Sequence, residues 1–301
     1  MHAAFAQEME IWNRAGRCER GEREEGLTHV SIDNIASVGD TLNIMNITKN
    51  TILVTGGGTG IGRGLAESFH ALGNKVIIAG RRSEVLKAAA AANAGMAWRV
   101  LDVEDAAKVR AFAAEVTMDY PGLNVLINNA GIARQENLKE PAEESDVAEA
   151  MITTNVLGPM RLTAALMPHL LKQNSATVIN VSSGLGFVPF PALPTYSATK
   201  AAIHSYTQSL RARLRGTEVQ VIEIIPPYVQ TEFGGPAQAV DPRAMPLKDF
   251  IAETMKIFKE EPEAVENCVE QARGLRFAEA TGKTDAMLEM LSGFALDPSH
   301  P

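Results

Sequence analysis

Cysteine is nearly missing from this chain. Its two copies, Cys18 and Cys268, lie far apart and match no metal-ligand spacing. That excludes a disulfide framework and a cysteine metal site, and both residues read as free thiols of a reducing compartment. Long apolar runs are missing too: none approaches the roughly 18 residues that a membrane-crossing helix needs. The opening MHAAFAQEMEIWNRAGRCERGEREEG carries acidic residues early and lacks the apolar segment of a secretory signal. Positive charge is in deficit, with 28 Lys and Arg against 36 Asp and Glu and a net charge of -8. This argues against nucleic acid, whose binding calls for a basic face. Cytoplasmic location is the default reading, and no membrane partner is expected. The 46% hydrophobic and 21% charged shares are those of an ordinary globular protein, and 301 residues suffice for one large α/β domain.

Residues 1–46 differ from the rest. They are polar, rich in Arg and Glu between Arg14 and Glu25, and free of sustained periodicity, so they read as a flexible N-terminal extension. Residues 47–301 read as a single domain. Met45 precedes NITKNTILVTGGGTGIG, as a complete domain of this kind would begin, so residues 1–44 are expected to be a dispensable tail or an over-extended translation start.

From Thr51 onward short apolar runs alternate with amphipathic helical patterns. Strands are expected at Ile52 to Val54, Lys75 to Ala79, Ala97 to Leu101, Asn124 to Ile127, Thr177 to Val181 and Val219 to Ile225. Helices are expected from Ile61, Ser83 and Asp105, from about Ala142 to Lys172 with a break near Gly158 and Pro159, and from Tyr196 to about Arg215. This alternation implies βαβ units: an α/β fold with a doubly wound parallel sheet of six to seven strands, helices on both faces, and ligands at the carboxyl ends of the strands. A substrate lid and a helical C-terminal segment occupy about 232–301.

The first strand runs into Thr55, Gly56, Gly57, Gly58, Thr59, Gly60, Ile61 and Gly62. Glycines let the backbone turn tightly against a pyrophosphate, and the next helix offers it free N–H groups and the positive end of its dipole. A plain strand-to-helix turn is the bland alternative; the position after the first strand favours a dinucleotide. At the end of the second strand, where an NAD-selective site carries an acid, stands Gly80 followed by Arg81 and Arg82. Two guanidiniums and no carboxylate favour a 2′-phosphate and hence NADP(H) over NAD(H), unless both arginines merely cap a solvated loop. Asp102 and Val103 end the third strand, where they would hold an adenine or simply cap the strand. Asn128, Asn129, Ala130 and Gly131 close the fourth, where an asparagine pair can tie neighbouring strands together. Asn155 is a poor helix former inside a helical stretch and marks a bend with an ordered water.

The densest chemistry lies in TVINVSSGLGFVPFPALPTYSATKAA, residues 177–202. Tyr196 and Lys200 stand at i and i+4, on one helix face. A phenol acting at neutral pH needs about 4 kcal/mol of help to ionise. An ammonium about 4 to 5 Å away supplies roughly 3 to 4 kcal/mol at an effective dielectric near 20. Ser183, at the tip of the preceding strand, can donate to an oxygen on which charge develops. Alone, a tyrosine four residues before a lysine is most often a half-buried ring beside a solvated neighbour.

The conjunction resembles the short-chain dehydrogenase/reductase family. It rests on TGGGTGIG at Thr55 to Gly62, NNAG at Asn128 to Gly131, Asn155, Ser183 and YSATK at Tyr196 to Lys200, in the family's order, over about Asn50 to Thr231. The resemblance implies a Rossmann-like domain and hydride transfer between a nicotinamide cofactor and an alcohol or carbonyl. It implies Tyr196 as general acid/base, Lys200 lowering its pKa and holding the nicotinamide ribose, Ser183 orienting the substrate oxygen, and Asn155 organising a water for a proton relay. Asp102, Val103 and Asn129 would touch the adenosine half, and Val229 and Thr231 the nicotinamide amide. Assembly as a homodimer or homotetramer through the helices around 150–172 and 196–215 is expected on the same ground. EIIPPYVQTEF and DPRAMPLKDFIAETM are similar to the DltE-like branch. Pro226 and Pro227 replace the family's usual PG, and TGKTDAMLEMLSGF reads as a helix where a last strand is common, which leaves a seventh strand open.

Substrate contacts are expected from the apolar, proline-stiffened loop between Ser183 and Tyr196, with Phe187, Val188, Phe190 and Leu193 as one wall and Tyr228 and Phe233 as cover. No Lys or Arg lies within Gly184 to Thr195, which disfavours a densely anionic substrate. A modest apolar ketone, aldehyde or secondary alcohol fits. The same apolar residues read equally well as core or subunit contact. Two other functions share these motifs: an epimerase or dehydratase of the wider family, and a dinucleotide-binding regulator without turnover.

Overall fold

The computed structural model describes residues 45–136 and 144–295. Residues 1–44 of the expected N-terminal extension lie outside the described residues, as does the expected helix start near Ala142, while Met45 and Asn46, counted in that extension, are ordered parts of the domain. Everything described belongs to one compact unit, Leu42–Pro301. Met45 is 4% exposed and packs in the core, so the packed body begins no later than Met45.

The chain order is β1 (Thr51–Thr55), α1 (Gly60–Ala71), β2 (Lys75–Gly80), α2 (Ser83–Ala91), β3 (Ala97–Val100), α3 (Ala106–Asp119), β4 (Leu123–Asn128), α4 (Glu144–Ile152), a π turn (Thr153–Leu157), α5 (Gly158–Leu170), β5 (Ala176–Val181), α6 (Pro194–Arg213), β6 (Val219–Ile225), α7 (Leu247–Glu260), β7 (Glu266–Cys268), α8 (Glu270–Arg276) and α9 (Thr284–Ala295). The seven strands are parallel in the order β3-β2-β1-β4-β5-β6-β7. The connection reverses direction between β1 and β4, which opens a crevice at their carboxyl ends. The seventh strand, left open by the sequence, is a three-residue edge paired to β6, and the tail stretch TGKTDAMLEMLSGF forms α9 as its pattern implied.

Alternation along each strand explains the two cores. Ile52, Val54, Ile78, Ile127, Ile179 and Ile224 face one side and pack with Leu65, Phe69 and Phe250 of α1 and α7. Leu53, Ile77, Leu126, Val178 and Val221 face the other and pack with Val109, Phe112, Leu162 and Leu166 of α3 and α5. Asp105 caps α3 by accepting from Ala107 N at 2.9 Å and Lys108 N at 3.0 Å. The helix expected to break near Gly158 and Pro159 runs straight through them, because glycine and proline are tolerated in the first turn of α5. The irregularity lies one turn earlier, in the π turn, where Gly158 N–H reaches back to Thr153 O. Among the described residues no helix is long and apolar enough to cross a membrane.

Candidate active site

At the end of β1 the chain must turn sharply beside β4. Gly56 has φ +65, and a Cβ there would stand 2.8 Å from Asn129 Nδ2. A Cβ on Gly62 would collide with the same amide and with the Gly56 carbonyl. Asn129 fills that space because its Nδ2 donates to Thr55 O at 3.0 Å, while Thr55 Oγ1 accepts from Asn129 N and Ala130 N at 3.0 Å. Both asparagines make the expected strand tie, Asn129 to Thr55 of β1 and Asn128 to Asn180 of β5. Thr59 precedes α1 without a side-chain cap, and the first turn holds no acid. The helix thus presents free N–H groups and an uncompensated positive dipole end at the crevice, which fits a pyrophosphate.

Arg81 and Arg82 are both exposed beyond β2, and Gly80 has room beside it. Arg81 pairs with Glu104 at 3.0 Å, and Glu104 also accepts from Thr154 Oγ1 at 2.7 Å. A carboxylate that sequence reading passed over thus competes for the guanidinium expected to meet a phosphate. Asp102 accepts from Glu104 N at 3.2 Å, and Val103 is buried against Gly158, so its side chain is committed to packing.

Segment 229–233 joins this turn to the tyrosine. Thr231 Cγ2 lies 3.4 Å from where a Cβ on Gly60 would stand, and the Phe233 ring centroid lies 5.8 Å from that of Tyr196. Glycine turn and tyrosine therefore share one crevice. Val229 is buried in the core and bridges Met245.

Tyr196 and Lys200 sit on buried positions of α6, with Lys200 Nζ 5.6 Å from the Tyr196 ring centroid. Lys200 Nζ donates to Val181 O, the last residue of β5, at 2.9 Å. The Tyr196 hydroxyl hydrogen-bonds with Ser183, whose Oγ also accepts from Leu185 N at 3.1 Å. Ser183, Tyr196 and Lys200 thus meet as the spacing implied. Their titration does not follow the sequence expectation of a lowered phenol. Burial pushes Tyr196 well above its ordinary value, and the Ser183 hydrogen bond opposes that only in part. Lys200 is itself lowered by burial to about 8, with the Glu223 carboxylate opposing. Desolvation is the largest cause of both shifts, because both groups are enclosed.

Asn155 is 2% exposed and fully engaged: Oδ1 accepts from Ile132 N at 2.8 Å, and Nδ2 donates to Ile132 O at 2.8 Å and to Thr199 Oγ1 at 3.1 Å. Its side chain pins the loop after β4 to α6, with Gly131 giving it room, and its backbone lies in the π turn. Glu136, unnoticed in the sequence, grips the start of α6: Oε2 accepts from Thr195 N at 2.9 Å and Oε1 from Thr195 Oγ1 at 2.6 Å, one residue before Tyr196. No motif flags it, since the contact spans 59 residues. Of the expected substrate wall, Val188 is fully buried, and Phe187 packs edge-on to His204 at 4.6 Å under the Arg276 guanidinium. Tyr228 is 46% exposed and donates to Asp241 at 3.2 Å. Phe233 is the aromatic of that expected cover that meets the tyrosine ring.

The family model for short chain dehydrogenases matches residues 50–240. The uncharacterized oxidoreductase DltE of Bacillus subtilis is 38% identical over 237 residues, covering 78% of this chain and 93% of that protein. Sulfoacetaldehyde reductase 2 of Chromohalobacter salexigens is 34% identical over 191 residues, covering 62% of this chain and 75% of its own. A crystal structure of a short chain dehydrogenase from Burkholderia cenocepacia in complex with NADP superposes with a TM-score of 0.70 at 27% identity, over 81% of this chain and 99% of the other.

Proposed function

The chain belongs to the short-chain dehydrogenase family, and from that premise we propose that it is an NADP(H)-dependent oxidoreductase interconverting a carbonyl and an alcohol, with Tyr196 as the general acid/base. The observation that carries this reading is the buried Tyr196, bonded to Ser183, beside Lys200 and across Phe233 and Thr231 from the glycine turn.

The turn Gly56 to Gly62 and the N-terminus of α1 would hold the pyrophosphate, with Arg81 and Arg82 on the 2′-phosphate and Asp102, Val103, Asn129 and Gly131 around the adenosine half. Val229 and Thr231 would border the nicotinamide end, and Lys200 its ribose. The bound cofactor supplies or accepts the hydride at the substrate carbon. Tyr196 and Ser183 would hold the substrate oxygen between two hydroxyls. Burial keeps Tyr196 protonated before the hydride moves, so in the reducing direction its hydroxyl is the proton donor to the carbonyl oxygen. Ser183 donates to the same oxygen as charge develops on it. Lys200, charged below about pH 8, stabilises the phenolate left behind. Asn155 holds Ile132 and Thr199 on either side of this group and leaves its π-turn backbone to organise a water.

Phe233 beside Tyr196, and the lack of any Lys or Arg within Gly184 to Thr195, support an uncharged ketone or aldehyde. The Chromohalobacter relative is named for an anionic aldehyde; a cation facing the substrate would be needed here for the same choice. We place the protein in the cytoplasm as a homodimer or homotetramer. Exposed Ile152, Leu157 and Leu171 on the α4–α5 run support assembly, which mass photometry at micromolar and nanomolar concentration tests. The catalytic reading is tested by NADPH oxidation over a panel of neutral and anionic carbonyls, with Tyr196→Phe as control. Turnover of neutral carbonyls that disappears in the variant supports it; equal rates in both proteins, or turnover of anionic substrates alone, overturn it.

A further inference from the structure

A row of polar side chains crosses the sheet on the face that carries α6. The register aligns Asn128 of β4 with Asn180 of β5, Asn180 with Glu223 of β6, and Glu223 with Glu266 of β7. Asn128 donates to Asn180 and to Thr163 at 2.9 Å, and Asn180 donates to Thr207 at 2.9 Å. Glu223 is 0% exposed; its Oε2 lies 2.8 Å from His204 Nδ1, and among the described residues its Oε1 has no hydrogen-bond partner. A half-satisfied carboxylate is costly to bury, which calls for a function. His204 follows Lys200 by one helical turn, so both project from one face of α6 onto the same part of the sheet, where Lys200 ends on Val181 O.

Ionisable or polar groups surround Glu223 from four elements. From α6 come Lys200, His204 and Arg211, from β7 Glu266 and Cys268, from α8 Arg276, and from β5 the neutral Asn180. Arg211 donates to Val221 O and Val265 O, and Arg276 holds both oxygens of Glu266 at 2.7 and 2.8 Å. His204, Glu223 and Glu266 gather within 4.8 Å, but with Arg276 on Glu266 this cluster already has its cation and calls for no metal. Among the described residues the tip of Lys200 pairs with no carboxylate, only with the neutral Val181 carbonyl.

We propose that Glu223 is a positioning residue for Lys200: its buried carboxylate, oriented by His204, keeps the lysine charged in an enclosure that favours the neutral amine. This rests on the reading of Lys200 as the ammonium that assists Tyr196. The lysine's titration near 8, with Glu223 opposing the effect of burial, agrees with it.

The test is a pH titration of the full-length protein carrying [ε-13C]lysine, with the Lys200 resonance identified by its loss in Lys200→Arg. Glu223→Gln should lower the Lys200 midpoint by about one pH unit, a roughly tenfold change in the ammonium ratio at fixed pH. Glu223→Asp, which keeps the charge, should leave it near the wild-type value. Should the Gln protein fail to fold, Glu223→Met, apolar and of similar volume, takes its place. A folded, charge-removed variant whose Lys200 midpoint does not move overturns the proposal. Loss of folding in both variants overturns it as well, since Glu223 is then a structural residue. The titration needs no substrate, so its outcome is separate from whether Tyr196 turns over a carbonyl.

Discussion

The β1 corner and the β5–β6 floor of the crevice build their polarity in opposite ways. At β1 the chain leaves backbone groups unpaired: glycines strip away side chains, and α1 starts without a cap or an acid. Where α6 lies on β5 and β6 it buries side chains and gives each a partner: Asn180 bonds to Thr207, Tyr196 to Ser183, Lys200 to Val181 O and Glu223 to His204. The first arrangement suits a ligand that brings its own charge, since free N–H groups recognise any phosphate. The second suits chemistry, because an enclosed proton donor needs neighbours that fix its protonation state. The corner is therefore expected to govern affinity and the floor to govern rate.

Lys200→Met should break the floor alone. The rate of carbonyl reduction should fall by about 10²-fold or more, the loss expected when electrostatic support of a developing charge is removed. NADPH affinity, measured by fluorescence titration, should fall too, but only by the roughly three- to tenfold that one lost ribose hydrogen bond accounts for. Gly62→Val should do the reverse, because its side chain collides with Asn129 and the Gly56 carbonyl. NADPH binding should weaken by roughly tenfold or more. The melting temperature should fall by several degrees, since about 1 kcal/mol moves Tm by roughly 2–4 °C at this size.

The pH dependence sharpens the contrast. Lys200 is lowered by burial to about 8 from an ordinary value of 10.5, so between these two pH values the unfolded chain binds the extra proton. Stability should accordingly rise with pH across that window, and chemical denaturation of Lys200→Met should lack the rise. Reduction should show the opposite sense, with kcat/KM falling above about pH 8 as the ammonium is lost. The smallest effects belong to the corner's outer edge. Arg81→Ala should raise the KM for NADPH by about tenfold and leave that for NADH nearly unchanged. Glu104→Gln, by freeing Arg81 from its 3.0 Å partner, should lower the NADPH KM by about two- to threefold.

The same contrast explains what was legible in the sequence. Glycine-rich turns and alternating apolar runs are local signals, so six strand positions and the β1 corner could be read from Thr55 to Gly62 and from the strand periods, while the order of the strands in the sheet could not. The tyrosine, lysine and serine could be read because a helical spacing and a strand end fix them. Glu136 on Thr195, Thr199 on Asn155 and Glu223 on His204 were not legible, since each contact joins elements far apart in the chain. The sequence also misjudged the phenol. Spacing reports that an ammonium is near, but the degree of enclosure that raises Tyr196 depends on packing from β5, α6 and the 231–233 segment together. Phe187 shows the same limit, since its loop position suggested a substrate wall while its ring covers His204.

The central claim is that Tyr196 gives its proton to the substrate oxygen. Stopped-flow absorbance of NADPH-loaded protein mixed with a turned-over carbonyl tests it most directly, comparing wild type with Tyr196→Phe. The account predicts that the variant binds NADPH as tightly as wild type and oxidises it at least about 10²-fold more slowly. A variant that oxidises bound NADPH at the wild-type rate would contradict it.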